Sequence, residues 1–307
     1  MLAAAMRIVT MRKPGGKDVR LRLIPSGCIL LAILNLSLLW SSCFRARETQ
    51  VQTRESMFGV KLRPAALSLL AHVEKHYGKR VREDVVDLPQ ERIAYSIVEV
   101  DGTPVVQINS STQPSEHTII HELFHLKMEA DGYAVLAYNP PPNQDREQFR
   151  RLMETWIHPY VRDTILHSLF YSAMRQMGLE PATELRAKVE RFILEDRMDE
   201  NFEKSATGTQ MLMIVLTYYK AALELDDGKL TDRLSQWYQK KAWGDQLRIA
   251  QNLLQIVRSS APNSPESVVE SFLKCMEYLL GWKYTIQKWE TKTLGIHKQQ
   301  VVLINVQ

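Results

Sequence analysis

The stretch Ile119-Ile120-His121-Glu122-Leu123-Phe124-His125-Leu126 leaves few choices for how this 307-residue chain folds around it. Its apolar residues recur at helical spacing, so the segment reads as a helix with a face in a core. His121 and His125 are four residues apart, which on a helix puts both imidazoles on one face, aimed at a common point. Ile119, Ile120, Leu123, Phe124 and Leu126 would hold that helix in place. Pro114 suits the opening of the helix, Ser115 and Glu116 suit its first turn, and Asp131-Gly132 ends it.

The segments around this helix set the fold class. Pro64 to Lys79 carries an amphipathic stripe at Ala66, Leu67, Leu69, Leu70 and Val73, with Pro64 at its start. Arg80–Leu88, Ala94–Val100 and Thr103–Ile108 read as strands, and Asp101-Gly102 is the turn of a hairpin between the last two. Asn139-Pro140-Pro141-Pro142-Asn143 cannot be helical and reads as a loop. Beyond it the pattern predicts helices over 145–178, 183–204, 208–225, 230–241, 244–259 and 265–281, then a strand at Gln299–Val306. The expectation is an α+β fold: a small N-terminal sheet packed on the helix of the two histidines, followed by a mostly helical C-terminal portion.

Charge excludes one class of partner. Residues 1–47 hold eight Lys and Arg against one acid, Asp18, and the rest of the chain is slightly acidic on balance. The basicity belongs to the leader, so there is no electrostatic case for nucleic acid. Within that leader, Arg7 to Arg22 precede an apolar run from about Gly27 to Trp40, ending in Ser41-Ser42-Cys43. This is the pattern of a signal peptide or membrane anchor. Leu39-Trp40-Ser41-Ser42-Cys43 partly matches a bacterial lipobox, which would make Cys43 a lipid attachment site. The expected location is membrane-associated and extracytoplasmic, with the membrane reached through this segment. Cys275 is then the one cysteine of the body and cannot form an intrachain disulfide there, so stability must come from the core. The domain reading is 1–47 as signal or anchor, 48–180 as the core bearing the motif, and 181–307 as a helical portion with a terminal strand in the same unit.

His121-Glu122-Leu123-Phe124-His125 is H-E-x-x-H. Two neutral imidazoles at about 2 Å supply half of a tetrahedral zinc site. Glu122, beside the first ligand, can take a proton from a water that the metal acidifies. A catalytic zinc needs a third protein ligand. His158 is the leading candidate, with Glu154, four residues earlier, as its rival; Asp163 and His167 stand behind them. His117, one turn before His121, reads as a first-turn residue facing solvent or substrate.

The residues from Val105 to Lys127, a strand, a break and the helix of His121, Glu122 and His125, resemble a minimal zincin. They are similar to the compact bacterial metallopeptidases of the ImmA/IrrE type and the wider gluzincin group. The resemblance spans roughly residues 64–170 and implies zinc at His121 and His125, a general base at Glu122 and a peptide or protein substrate. In the gluzincin group the third ligand is usually a Glu from a following helix, and here a His competes with it. The expected function is a membrane-associated zinc metallopeptidase that hydrolyses peptide bonds. The alternative is a catalytically inactive, zinc-stabilised binding or regulatory protein tethered to a membrane.

Overall fold

The computed structural model describes residues 54–88, 93–140, 145–198 and 207–306. The leader, Cys43 included, lies outside the described residues, and among those described no helix is long and apolar enough to cross a membrane. Arg54–Gln307 forms one compact unit, and its fold is α+β.

A two-residue ladder, β1 (Ser56–Met57) with β2 (Val60–Lys61), leads into helix α1 (Pro64–Tyr77). Pro64 occupies the first turn of α1, where its missing N–H costs nothing, and Gly78 closes the helix at φ 64°. Strands β3 (Arg82–Val86), β4 (Ala94–Val98) and β5 (Pro104–Asn109) form a sheet in the order β3-β5-β4. The β4–β5 pair is the hairpin expected from Asp101-Gly102, while β3 runs parallel to β5. β5 is accordingly the central strand, and its residues are buried except Gln107.

Helix α2 (Glu116–Ala130) carries the two histidines and packs on α1, on β4 and on β5. It buries Ile119, Ile120, Leu123, Phe124 and Leu126 almost completely. Each such side chain contributes about 1.5–3 kcal/mol of transfer free energy, which ties the helix firmly to the sheet. Strand β6 (Val135–Asn139) follows, and residues 146–176 then form one continuous helical run. Its ends are α-helical, α3 (Arg146–Leu152) and α4 (Asp163–Gln176), but Met153–Arg162 between them is wound as a π-helix. Pro159 sits inside this segment. In α winding its ring would clash with the carbonyl four residues back, a local reason for the wider turn.

The helical portion comprises α5 (Thr183–Glu195), α6 (Thr207–Glu224), α7 (Gly228–Lys240), α8 (Gly244–Ser260) and α9 (Pro265–Leu280). Cys275 is buried on α9 as a free thiol. The chain ends in a long hairpin, β7 (Tyr284–Leu294) and β8 (His297–Val306). β8 pairs parallel with β6, giving a second three-stranded sheet in the order β6-β8-β7. Sequence patterning anticipates the strand at the C-terminus but neither β6 nor β7. β6 is too short to show its period beside the proline run, and β7 is largely exposed, with Thr, Lys and Gln where an apolar stripe would be.

The turns of the two hairpins abut. Gly102 adopts φ 84° and Gly295 φ 59°; a Cβ on Gly102 would overlap the Leu294 carbonyl, and one on Gly295 the Asp101 carbonyl. Glycine is required at both by conformation and by space. Gly102→Ala and Gly295→Ala should each lower stability by about 2–4 kcal/mol in urea unfolding. Gly281→Ala, at φ 68° with nothing within 4 Å of its Cβ, should cost only about 1 kcal/mol. Equal losses at the three positions would mean that the backbone contact between the turns contributes nothing.

Candidate metal centre

The site begins with the anchoring of α2. Ser115 caps it, with its Oγ accepting from the Thr118 amide at 3.1 Å. Glu116 in the first turn, where an acid suits the helix dipole, receives Arg63 Nε at 3.0 Å and Nη2 at 2.8 Å. At the other end of α1, Tyr77 donates to the Leu126 carbonyl at 3.1 Å. Both ends of the histidine helix are therefore fixed to α1.

The i, i+4 spacing brings His121 and His125 together as the sequence predicts, with their Nε2 atoms 3.2 Å apart. The third imidazole to reach them is that of His167 on α4, whose Nε2 lies 3.2 Å from His125 Nε2. The ligand-capable atoms of His121, His125 and His167 all lie within 4.8 Å of one another. Among the described residues no other His, Cys, Asp or Glu belongs to such a group. Tetrahedral coordination at 2.0–2.1 Å would separate ligand nitrogens by about 3.3 Å. The two observed separations fit that edge, and the donors are the type that suits zinc.

The geometry thus seats His167, and not His158 or Glu154, beside the motif pair. Glu154 is exposed and pairs with Arg150 one turn back on its own helix. His158 is turned toward β6, where its Nε2 meets the Tyr138 hydroxyl at 2.8 Å. Both belong to the π segment, whereas Asp163 and His167 belong to the α-helical stretch that packs on α2. Asp163 lies one turn before His167, within electrostatic reach of His125, His167 and His158. Burial pushes its carboxyl up, but Arg162 beside it and the nearby imidazoles more than offset that. His117, expected to face solvent or substrate, is half-buried, and its Nε2 is buried with no hydrogen-bond partner among the described residues.

Aromatic rings enclose the group. Phe170 packs edge-on against His121, His125 and His167, and stacks on Phe124 with centroids 5.1 Å apart. Burial drives the His121 imidazole well below its usual pKa, helped by His167 and His125. Burial, then His167, lowers His125 to about 3. Both rings are therefore unprotonated at neutral pH, the state in which imidazole binds a metal. Glu122, adjacent to the first histidine, is only 7% exposed.

The other side of His167 is engaged by helix α6. Its Nδ1 lies 2.8 Å from Glu224 Oε1, and Glu224 is 2% exposed. Lys220, one turn earlier on α6, donates to the same oxygen. The Tyr171 hydroxyl lies 3.2 Å from His167 Nδ1 and 3.4 Å from Glu224 Oε2. Burial would raise the Glu224 carboxyl, but Lys220 and His167 hold it down at about 2. Sequence reading passed over Lys220 and Glu224. The available signal was their i, i+4 spacing at the end of the apolar run Met211–Leu223, where a buried charge needs a partner.

No family model, curated protein or solved structure matches this chain.

The depressed histidines carry a pH dependence whose sign is fixed. The unfolded chain binds protons on His121 and His125 near pH 6.5, while the folded chain does so only at much lower pH. Stability of metal-free protein is then full above about pH 6.5 and falls as the pH drops toward 3. The slope is about 1.4 kcal/mol per pH unit for each such histidine. Urea midpoints recorded with a chelator from pH 7.5 to 4.5 should show this decline, and His125→Leu should flatten it. An unchanged slope in that variant would contradict the reading.

Proposed function

We propose that this chain is a zinc-dependent metallopeptidase, with His121, His125 and His167 holding the ion and Glu122 as general base. The observation that carries this reading is the convergence of three imidazole Nε2 atoms, two of them from H-E-x-x-H. Three protein ligands and a vacant fourth position are the ligand count of a hydrolytic zinc site. When bound, zinc would supply Lewis acidity toward a substrate carbonyl and lower the pKa of a water to about 7. The chain's own part is proton handling and positioning. Glu122 would take the proton of the attacking water on its carboxylate and pass it to the leaving amine as the peptide bond breaks. Phe124 and Phe170 keep bulk water from the rear of the site, and His121 and His125 need lose no proton before they bind metal. The basic-then-apolar segment within residues 1–47 would hold this body at a membrane.

The low exposure of Glu122 and His167 favours a second reading, a zinc-stabilised binding or regulatory protein with no turnover. The two differ in one experiment. Full-length protein purified in detergent should contain one zinc per chain by elemental analysis. His121→Ala and His167→Ala should abolish it, while His158→Ala should leave it within about twofold. Glu122→Gln should keep the zinc and lower peptide hydrolysis by at least about 10²-fold. Zinc retained with no hydrolysis by the parent across a broad peptide panel would select the binding protein. Absence of zinc from the parent after refolding with excess metal would refute both.

A further inference from the structure

Glu224, at the end of helix α6, stands 57 residues from His167 in sequence and outside the stretch that resembles a peptidase core, yet it is the partner of His167. We propose that Glu224 is a positioning residue of the metal centre. Held by Lys220 and Tyr171, it would orient the His167 ring and fix which of its nitrogens faces the ion. The inference rests on the zinc reading above and deepens it, because it makes the helical portion part of the site.

A carboxylate only accepts hydrogen bonds, so the partner of Glu224 Oε1 must be an N–H. At 2.8 Å that places an N–H of His167 on Nδ1 and makes Nε2 the nitrogen that can offer a lone pair to an ion. Nε2 is the atom that faces His125 at 3.2 Å. The tautomer that coordination needs is thus selected before any ion arrives.

Glu224 is itself immobilised. Lys220 donates to Oε1, the Tyr171 hydroxyl reaches Oε2 at 3.4 Å, and Arg175 donates to the Glu224 carbonyl at 3.2 Å. The His167 ring lies nearly parallel to Tyr171, 12° between planes at 4.9 Å, which fixes the last rotation left to it. A buried carboxylate needs a cation, and Lys220 provides one that does not occupy His167 Nε2.

The test compares zinc affinity, by competition with a chromophoric chelator, and the visible spectrum after cobalt substitution. The proteins are the full-length chain in detergent and its Glu224→Leu, Glu224→Gln and Lys220→Met variants. A positioning role predicts a roughly 100-fold loss of zinc affinity and a shifted cobalt spectrum in Glu224→Leu. Glu224→Gln keeps an acceptor oxygen of the same reach and should recover affinity to within about tenfold of the parent. Lys220→Met should fall between them. A purely structural role would lower thermal stability but leave affinity and spectrum of the folded protein unchanged. Affinity within twofold of the parent in folded Glu224→Leu overturns the proposal. Should that variant not fold, parental affinity and spectrum in both Glu224→Gln and Lys220→Met do the same. A parent chain that takes up neither metal refutes the metal centre as well, and so is distinguishable from failure of the positioning role alone.

Discussion

Helix α2 has to meet two demands at once, and the arrangement of the molecule follows from how they are met. One face must bury Ile119, Ile120 and Leu123 in the core shared with the sheet and α1, because leaving them in water would cost several kcal/mol. The other must turn two imidazoles toward α4, where little water remains to solvate a charge. A neutral imidazole in such a place needs a partner for its lone pair, and three brought together leave a gap of a size and chemistry that suit a metal ion. The packing that stabilises the helix is therefore the packing that forms the candidate site.

The second structural theme is how distant parts of the chain close on this helix. β8, at the end of the sequence, pairs with β6 just after α2 and also packs on α2 itself. Gln299 of β8 donates to Glu129 near the end of α2 at 2.7 Å. From the other direction α6 packs on α4 and reaches His167 through Glu224. The segment after residue 180 thus contributes a sheet strand beside α2 and a hydrogen-bond partner for His167.

Charge near the site is balanced in local pairs. Glu224 is matched by Lys220 and Asp163 by Arg162. Each acid would be costly alone at its depth, and each has its counterion within one helical turn. The three imidazoles lie between these two compensated acids.

The sequence by itself determined what local periodicity controls. The i, i+4 spacing of His121 and His125 put both rings on one face. The Asp101-Gly102 turn specified the β4–β5 hairpin, and the apolar stripes located the helices. The third imidazole was decided by tertiary structure. Which residue of the run 146–176 meets α2 depends on the phase of that helix, and the π-wound segment around Pro159 alters the phase between His158 and His167. No counting at α-helical spacing could carry it across. The contribution of Glu224 and the pairing of β6 with β8 were likewise invisible locally, because each joins residues far apart in sequence whose meeting is settled only when the core closes. Local backbone geometry repeats with a fixed period and can be read from spacing, whereas long-range contacts answer to packing of the whole chain.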